Sequence, residues 1–144
     1  MIDLNGILSL LPHQPPFRFV DEVIEYIPSK SLIAKFSPKG RRIAFGNSIN
    51  IPFSILVEGL AQTAVLYTQI ETEPLSEGDI PVLGNMEASY FKEVCWDEDI
   101  SYKVEPFRIF SKKAILNGKV YGPDGQLIIA ARLSVAVSRV QIKG

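Results

Sequence analysis

The 144-residue sequence has little of what metal and redox sites are built from, with one cysteine, Cys95, and one histidine, His13. A single cysteine excludes an intramolecular disulfide, and one sulfur with one imidazole is too few for a zinc site of the usual nitrogen and sulfur type. An excess of charge is missing too. Lysine and arginine total 15 against 16 acids, with no long run of either sign, which excludes the basic footprint of a nucleic-acid binder or a polybasic membrane anchor. The apolar start of the chain falls well short of the roughly 20 residues that cross a bilayer, and Asp3 stands where a signal peptide needs basic residues. The sequence therefore predicts a cytoplasmic protein with no metal and no cofactor.

Against these absences stands a hydrophobic content of 47%. In 144 residues that fills one core and is short for two, so residues 1–144 read as a single domain. Pro12, Pro15 and Pro16 end a short helix predicted over 4–11, because each proline pushes its predecessor toward extended backbone. "FRFVDEVIEYI" (17–27) and "SLIAKF" (31–36) are rich in aromatic and β-branched residues and read as two strands parted at Pro28.

Residues 52–71, "PFSILVEGLAQTAVLYTQIE", predict one long helix, with Pro52 in the first turn and Asn50 as its N-cap. From Phe53 to Tyr67 the apolar residues fall on nearly every side, so other elements must wrap this helix. Four later runs supply the wrapping: "PVLGNMEASYF", "DISYKVEPFRIF", "KKAILNGKVYG" and "QLIIAARLSVAVSRV" alternate like strands, and "GPDG" at 122–125 is a hairpin turn. "ETEPLSEGD" (71–79) reads as a polar loop. The expected fold class is α+β, an antiparallel sheet of about six strands curled round one long central helix.

Glu58 is the isolated carboxylate of that apolar helix. It is either partly buried and suited to acid or base work, or an edge residue in water or bonded to a neighbouring chain. Gln62 lies one turn on, on the same face, where it could orient the carboxylate, touch a substrate, or serve as a polar interface residue. His13, beside three prolines at an element boundary, reads as structural. Tyr90, Phe91 and Lys92 end a strand, and Trp96 is expected at a rim. Arg41 and Arg42 are either a phosphate contact or solvated loop residues.

Three segments, "ILSLLPHQPPFRFVDEVIEY", "IPFSILVEGLAQTAVL" and "LGNMEASYFKEV", resemble in order and spacing the FabZ type of 3-hydroxyacyl-acyl-carrier-protein dehydratase, a hotdog-fold family. The likeness runs over residues 7–138 and implies a hotdog fold. It further implies a dimer with two sites between subunits, each pairing a histidine of one chain with a helix glutamate of the other. Glu58 matches that glutamate, and Gln62 follows it. The family's Gly-His-Phe-Pro-Gly motif, counted back from Pro52, falls on Ile43-Ala44-Phe45-Gly46-Asn47, so the histidine position is Ala44. Phe45 keeps the aromatic position, and backbone N–H groups of Phe45, Gly46 and Asn47 could still stabilise an oxyanion near the helix start. The loop feeding this motif, "FSPKGRRIAFGNSIN" (36–50), is shorter than the family's usual run.

The resemblance implies acyl carrier protein or coenzyme A thioesters as partners, in fatty-acid or polyketide-type metabolism. It implies a homodimer, a heterodimer with an active homologue, or a higher oligomer. Three functions fit. The first is a thioester-binding homologue whose dehydratase activity is lost or depends on a partner subunit. The second is a thioesterase or slow dehydratase that uses Glu58 alone, and the third is a structural dimer without ligand.

Overall fold

The computed structural model describes residues 6, 8, 17–46, 48–71, 79–110 and 113–139. The predicted helix over 4–11 lies largely outside them, as do His13, Asn47 and most of the 71–79 loop. Six strands and one long helix follow one another as β1 (Glu22–Ile27), β2 (Ser31–Phe36), α1 (Phe53–Glu71), β3 (Asp79–Tyr90), β4 (Ile100–Ile109), β5 (Lys113–Tyr121) and β6 (Leu127–Arg139). The strands form one sheet in the order β1-β2-β4-β5-β6-β3, and every neighbouring pair is antiparallel. This is the α+β layout expected from the sequence, with β1 and β3 at the two edges.

Period-two alternation decides which face of each strand is covered. In β4, Ile100, Tyr102 and Val104 are fully buried while Ser101 and Lys103 are not, and in β5 Ala114, Leu116 and Val120 repeat the pattern. Leu32, Ala34 and Phe36 of β2 and Ile129, Leu133 and Val135 of β6 complete the inward surface. Helix α1 lies across it. Its run from Gly59 to Thr68 is continuously buried, which answers the apolar residues seen on nearly every side of its sequence. Covering side chains such as Leu56, Leu60 and Leu66 stabilises the fold by roughly 1.5–3 kcal/mol each relative to exposure. The two threonines of that run are satisfied locally: Thr63 and Thr68 donate their hydroxyls to the carbonyls of Gly59 and Ala64 at 2.9 and 2.8 Å.

Two expectations of detail are corrected. Asn50 does not cap α1. Its amide donates instead to Glu93 Oε2 at 2.7 Å and its backbone bridges Cys95, while the first helical turn closes through the Ile55 N–H on the Pro52 carbonyl at 3.0 Å. The first strand begins at Glu22, not at residue 17, because the backbone of Phe17 to Phe19 is bonded to the helix and not to a strand.

Candidate functional site

The bond that diverts Phe17 to Phe19 comes from Gln62. This side chain is 1% exposed, and its amide is used at both ends: Oε1 accepts the Phe19 N–H at 2.8 Å, and Nε2 donates to the Phe17 carbonyl at 2.8 Å. Nε2 also donates to Glu58 Oε1 at 3.3 Å. Gln62 thus holds the chain that leads into β1 against the middle of α1, and on the same helical face it steadies the Glu58 carboxylate. Glu58 is half-buried, between the two environments the sequence left open.

Ala44 sits on a single 3-10 turn, Ile43–Phe45, that ends in Gly46 with φ +94°. Ala44 is exposed, and so is Ile43 beside it. The turn is anchored by Phe45, whose ring meets Phe19 edge-on at 5.3 Å and stacks on Trp96 at 6.0 Å. Trp96 itself is 2% exposed, so it forms part of the core and not a rim. Its indole N–H reaches Ser48 Oγ at 3.4 Å, and the Ile51 N–H is donated to the Val94 carbonyl at 2.9 Å. Together these bonds tie the segment entering α1 to the one leaving β3. The Phe45 N–H is taken up by the Arg42 carbonyl at 3.1 Å, which fixes the turn at the place where an oxyanion donor was expected. Asn47 lies outside the described residues.

Arg41 lies over three aromatic rings, with its guanidinium 5.2 Å from Phe36, 5.3 Å from Phe19 and 6.0 Å from Phe45; cation–π attraction of this kind orders a loop cation. Arg42 is half-buried beside it. At the end of β3, Tyr90 and Phe91 are exposed, and Tyr90 meets Phe53 of the first helical turn edge-on at 4.8 Å. The Cys95 thiol is pushed up from its ordinary value by desolvation and by Glu98, Asp97 and Glu93, which keeps it protonated and a poor nucleophile.

A residue the sequence reading passed over is Tyr102. It is fully buried, its hydroxyl has no hydrogen-bond partner among the described residues, and burial raises its pKa well above the ordinary value, with Asp21 adding to the rise and Arg41 opposing it. Alternation along β4 points this side chain inward, which was the available signal. Two open cavities of about 300 and 560 Å³ lie on the sheet's outer face, around Glu87 and Arg132, away from Glu58. No group of acids, histidines or cysteines able to hold a metal occurs among the described residues. Nor does any described helix have the length and apolarity to cross a membrane.

No family model matches the chain. Over 142 residues it is 29% identical to the 3-hydroxyacyl-acyl-carrier-protein dehydratase FabZ of Oleidesulfovibrio alaskensis, covering 95% of this chain and 92% of that protein. Over nearly its whole length the chain is similar in sequence to FabZ-type dehydratases. FabZ of Desulfotalea psychrophila is likewise 29% identical over 143 residues, covering 95% of this chain and 94% of that one. Among solved structures, a thioesterase of Haemophilus influenzae superposes on this chain with a TM-score of 0.76 at 12% identity, over 99% of this chain and 95% of that one. A hypothetical thioesterase of Streptococcus pneumoniae, solved with coenzyme A, gives 0.64 at 14% identity, over 84% and 88%. At such identities the structures show only the hotdog fold that this chain shares with them.

Proposed function

We propose that this chain binds acyl thioesters, of acyl carrier protein or coenzyme A, at a dehydratase-type site that lacks its own base. The observation that carries the proposal is the pairing of a retained, Gln62-steadied Glu58 with an alanine on the turn where the family's histidine is expected. Dehydration of a 3-hydroxyacyl thioester removes a proton next to the carbonyl, protonates the departing hydroxyl and stabilises the enolate-like oxygen. Imidazole suits the first task because it titrates near neutral pH. The methyl group of Ala44 has no such capacity, whereas a carboxyl at Glu58 serves the second task.

The site of such a protein is completed between two chains. β3 is a 12-residue strand at one edge of the sheet, and the exposed Tyr90 and Phe91 stand at its end. A long edge flanked by apolar side chains is suited to pairing with a second copy or with a homologous subunit. In a mixed dimer Glu58 faces a histidine brought by the partner, which makes this chain a partner-dependent subunit.

The test is to mix the protein with a dehydratase homologue whose helix glutamate has been changed to glutamine. Dehydratase activity that appears only in the mixture supports the reading, and mixed dimers that form without activity refute it. A second reading, hydrolysis of the thioester, is favoured by one observation: Glu58 is the one acid–base group retained at the proposed site, and activating a water needs a single base. Free thiol released by the wild type and abolished in Glu58→Gln would establish it.

A further inference from the structure

We propose that the outer face of β4, β5, β6 and β3 docks an acidic protein segment, with the guanidiniums of Arg108 and Arg132 at its centre. This surface is separate from the thioester site, because α1, which carries Glu58, lies across the inward face of the sheet.

Strand register gathers the charges of these four strands on one surface. The outward positions alternate with the buried ones and carry five cations, Lys103, Arg108, Lys113, Lys119 and Arg132, against two acids, Glu87 and Glu105. A surplus of three positive charges thus stands on a chain whose net charge is −1. Whole-chain composition conceals the asymmetry, since the acids that balance it lie elsewhere.

The two arginines share one aromatic ring. Phe107 is the extra residue of a bulge between Pro106 and Arg108, and a bulge re-aims a side chain; here the ring is 48% exposed. The Arg132 guanidinium lies 4.0 Å from its centroid and that of Arg108 5.9 Å. Arg132 Nε also donates to Asn117 Oδ1 at 3.2 Å. Among the described residues neither guanidinium has a carboxylate within ion-pair distance, and the one ion pair on these strands joins Lys103 to Glu105 at 3.9 Å. Two like charges kept together repel each other. Cation–π attraction holds them in place, ready to donate paired N–H groups to an incoming carboxylate.

Relief and charge together select the occupant. The cavities of about 300 and 560 Å³ meet at Glu87 and Arg132, and Ile115, Pro106 and Ala130 line them between the cations. Such recesses take individual side chains, whereas a flat layer of lipid headgroups leaves them empty. Glu87 and Glu105 oppose the unbroken row of phosphates of a nucleic acid, and a second copy of this face brings positive charge onto positive. A protein segment that carries carboxylates among apolar side chains meets both demands, with the carboxylates on the arginines and lysines and the apolar groups in the recesses.

The test uses the full chain and a labelled short peptide of glutamate and leucine. A lysine and leucine peptide of the same pattern, phosphatidylglycerol vesicles and a single-stranded oligodeoxynucleotide are compared with it. Fluorescence anisotropy measures binding, and carbodiimide coupling of peptide carboxylates to lysine amines, read by mass spectrometry, maps it. The acidic peptide is expected to bind, to weaken with added salt, and to couple to Lys103, Lys113 and Lys119 in preference to Lys30, Lys39 and Lys92. Reversing both charges, with Arg108→Glu and Arg132→Glu together, is expected to weaken binding by at least about tenfold. No binding, coupling spread evenly over all these lysines, or an affinity unchanged in the double variant overturns the proposal. So does tighter binding of the lysine peptide, the vesicles or the oligonucleotide. Both arginines are exposed, so their replacement leaves the core intact; should the double variant not fold, the coupling map on wild type decides by itself.

Discussion

Replacing Gln62 with alanine tests how the site is held together. The substitution leaves the Phe19 N–H, on a residue 5% exposed, without its acceptor; an unpaired buried donor of this kind costs about 1–3 kcal/mol. The Phe17 carbonyl belongs to a residue 65% exposed and recovers water, so its loss is about 0.5–1 kcal/mol. Removing the buried stem of the side chain adds roughly 1 kcal/mol. The sum is about 2.5–5 kcal/mol, which in a chain of this length lowers Tm by on the order of 10 °C. Thermal unfolding followed by circular dichroism, at matched protein concentration, reads it out. Gln62→Glu sharpens the test. The introduced carboxylate can accept from Phe19 but cannot donate to Phe17 or Glu58, so its charged form is disfavoured in the fold and its folded pKa lies above the unfolded one. Stability then falls as pH rises from the unfolded toward the folded pKa, and is regained in acid. A Gln62→Ala protein within about 0.5 kcal/mol of wild type would refute the clamp.

Gly59→Ala should destabilise the protein in urea denaturation although alanine is the better helix former by about 1 kcal/mol, because the methyl overlaps Tyr102; a rise in the denaturation midpoint would contradict that close contact. Tyr102→Phe should leave stability unchanged or raise it by up to about 1 kcal/mol, since it deletes a buried hydroxyl that has no partner among the described residues. Tyr26 donates its hydroxyl to Glu71 at 2.8 Å and is pushed up to about 12, first by burial and then by that carboxylate. The folded form therefore holds the proton more tightly than the unfolded one, so stability is lost as pH climbs from 10 toward 12; Tyr26→Phe should flatten that loss in alkaline unfolding curves. Ala44→His is expected to introduce dehydration of a 3-hydroxyacyl thioester, detected as enoyl absorbance, and a silent variant that still binds the thioester would place the missing base elsewhere.

The fold was legible because its signals are local. Alternation in "ISYKVE" and "KAILNGKVY" marks half-buried strands wherever they pair, and a helix apolar all round demands a wrapper. The site was legible only where it lies on one element: Glu58 and Gln62 share a face by spacing alone. Their use was not. Gln62 bonds to residues 43 and 45 positions away, a distance over which no periodicity speaks, and the same bonds ended the first strand later than its composition suggested. Asn50 reads as a cap because caps are local, yet the distant Glu93 captured its amide. Trp96, in a corner of charged residues, reads as a rim until Phe45 stacks on it. Tyr102 was legible as inward-facing, whereas its meeting with Gly59 depends on how the helix crosses the sheet.

The central claim is that the protein binds an acyl thioester at a site from which the dehydratase's base is missing. The most direct measurement incubates the purified protein with a 3-hydroxyacyl thioester, follows enoyl absorbance and free thiol together, and determines binding of the same thioester by calorimetry. The account predicts binding without enoyl product. Enoyl formed by the wild type alone, and lost in Glu58→Gln, would contradict it by showing that dehydration proceeds here without the histidine.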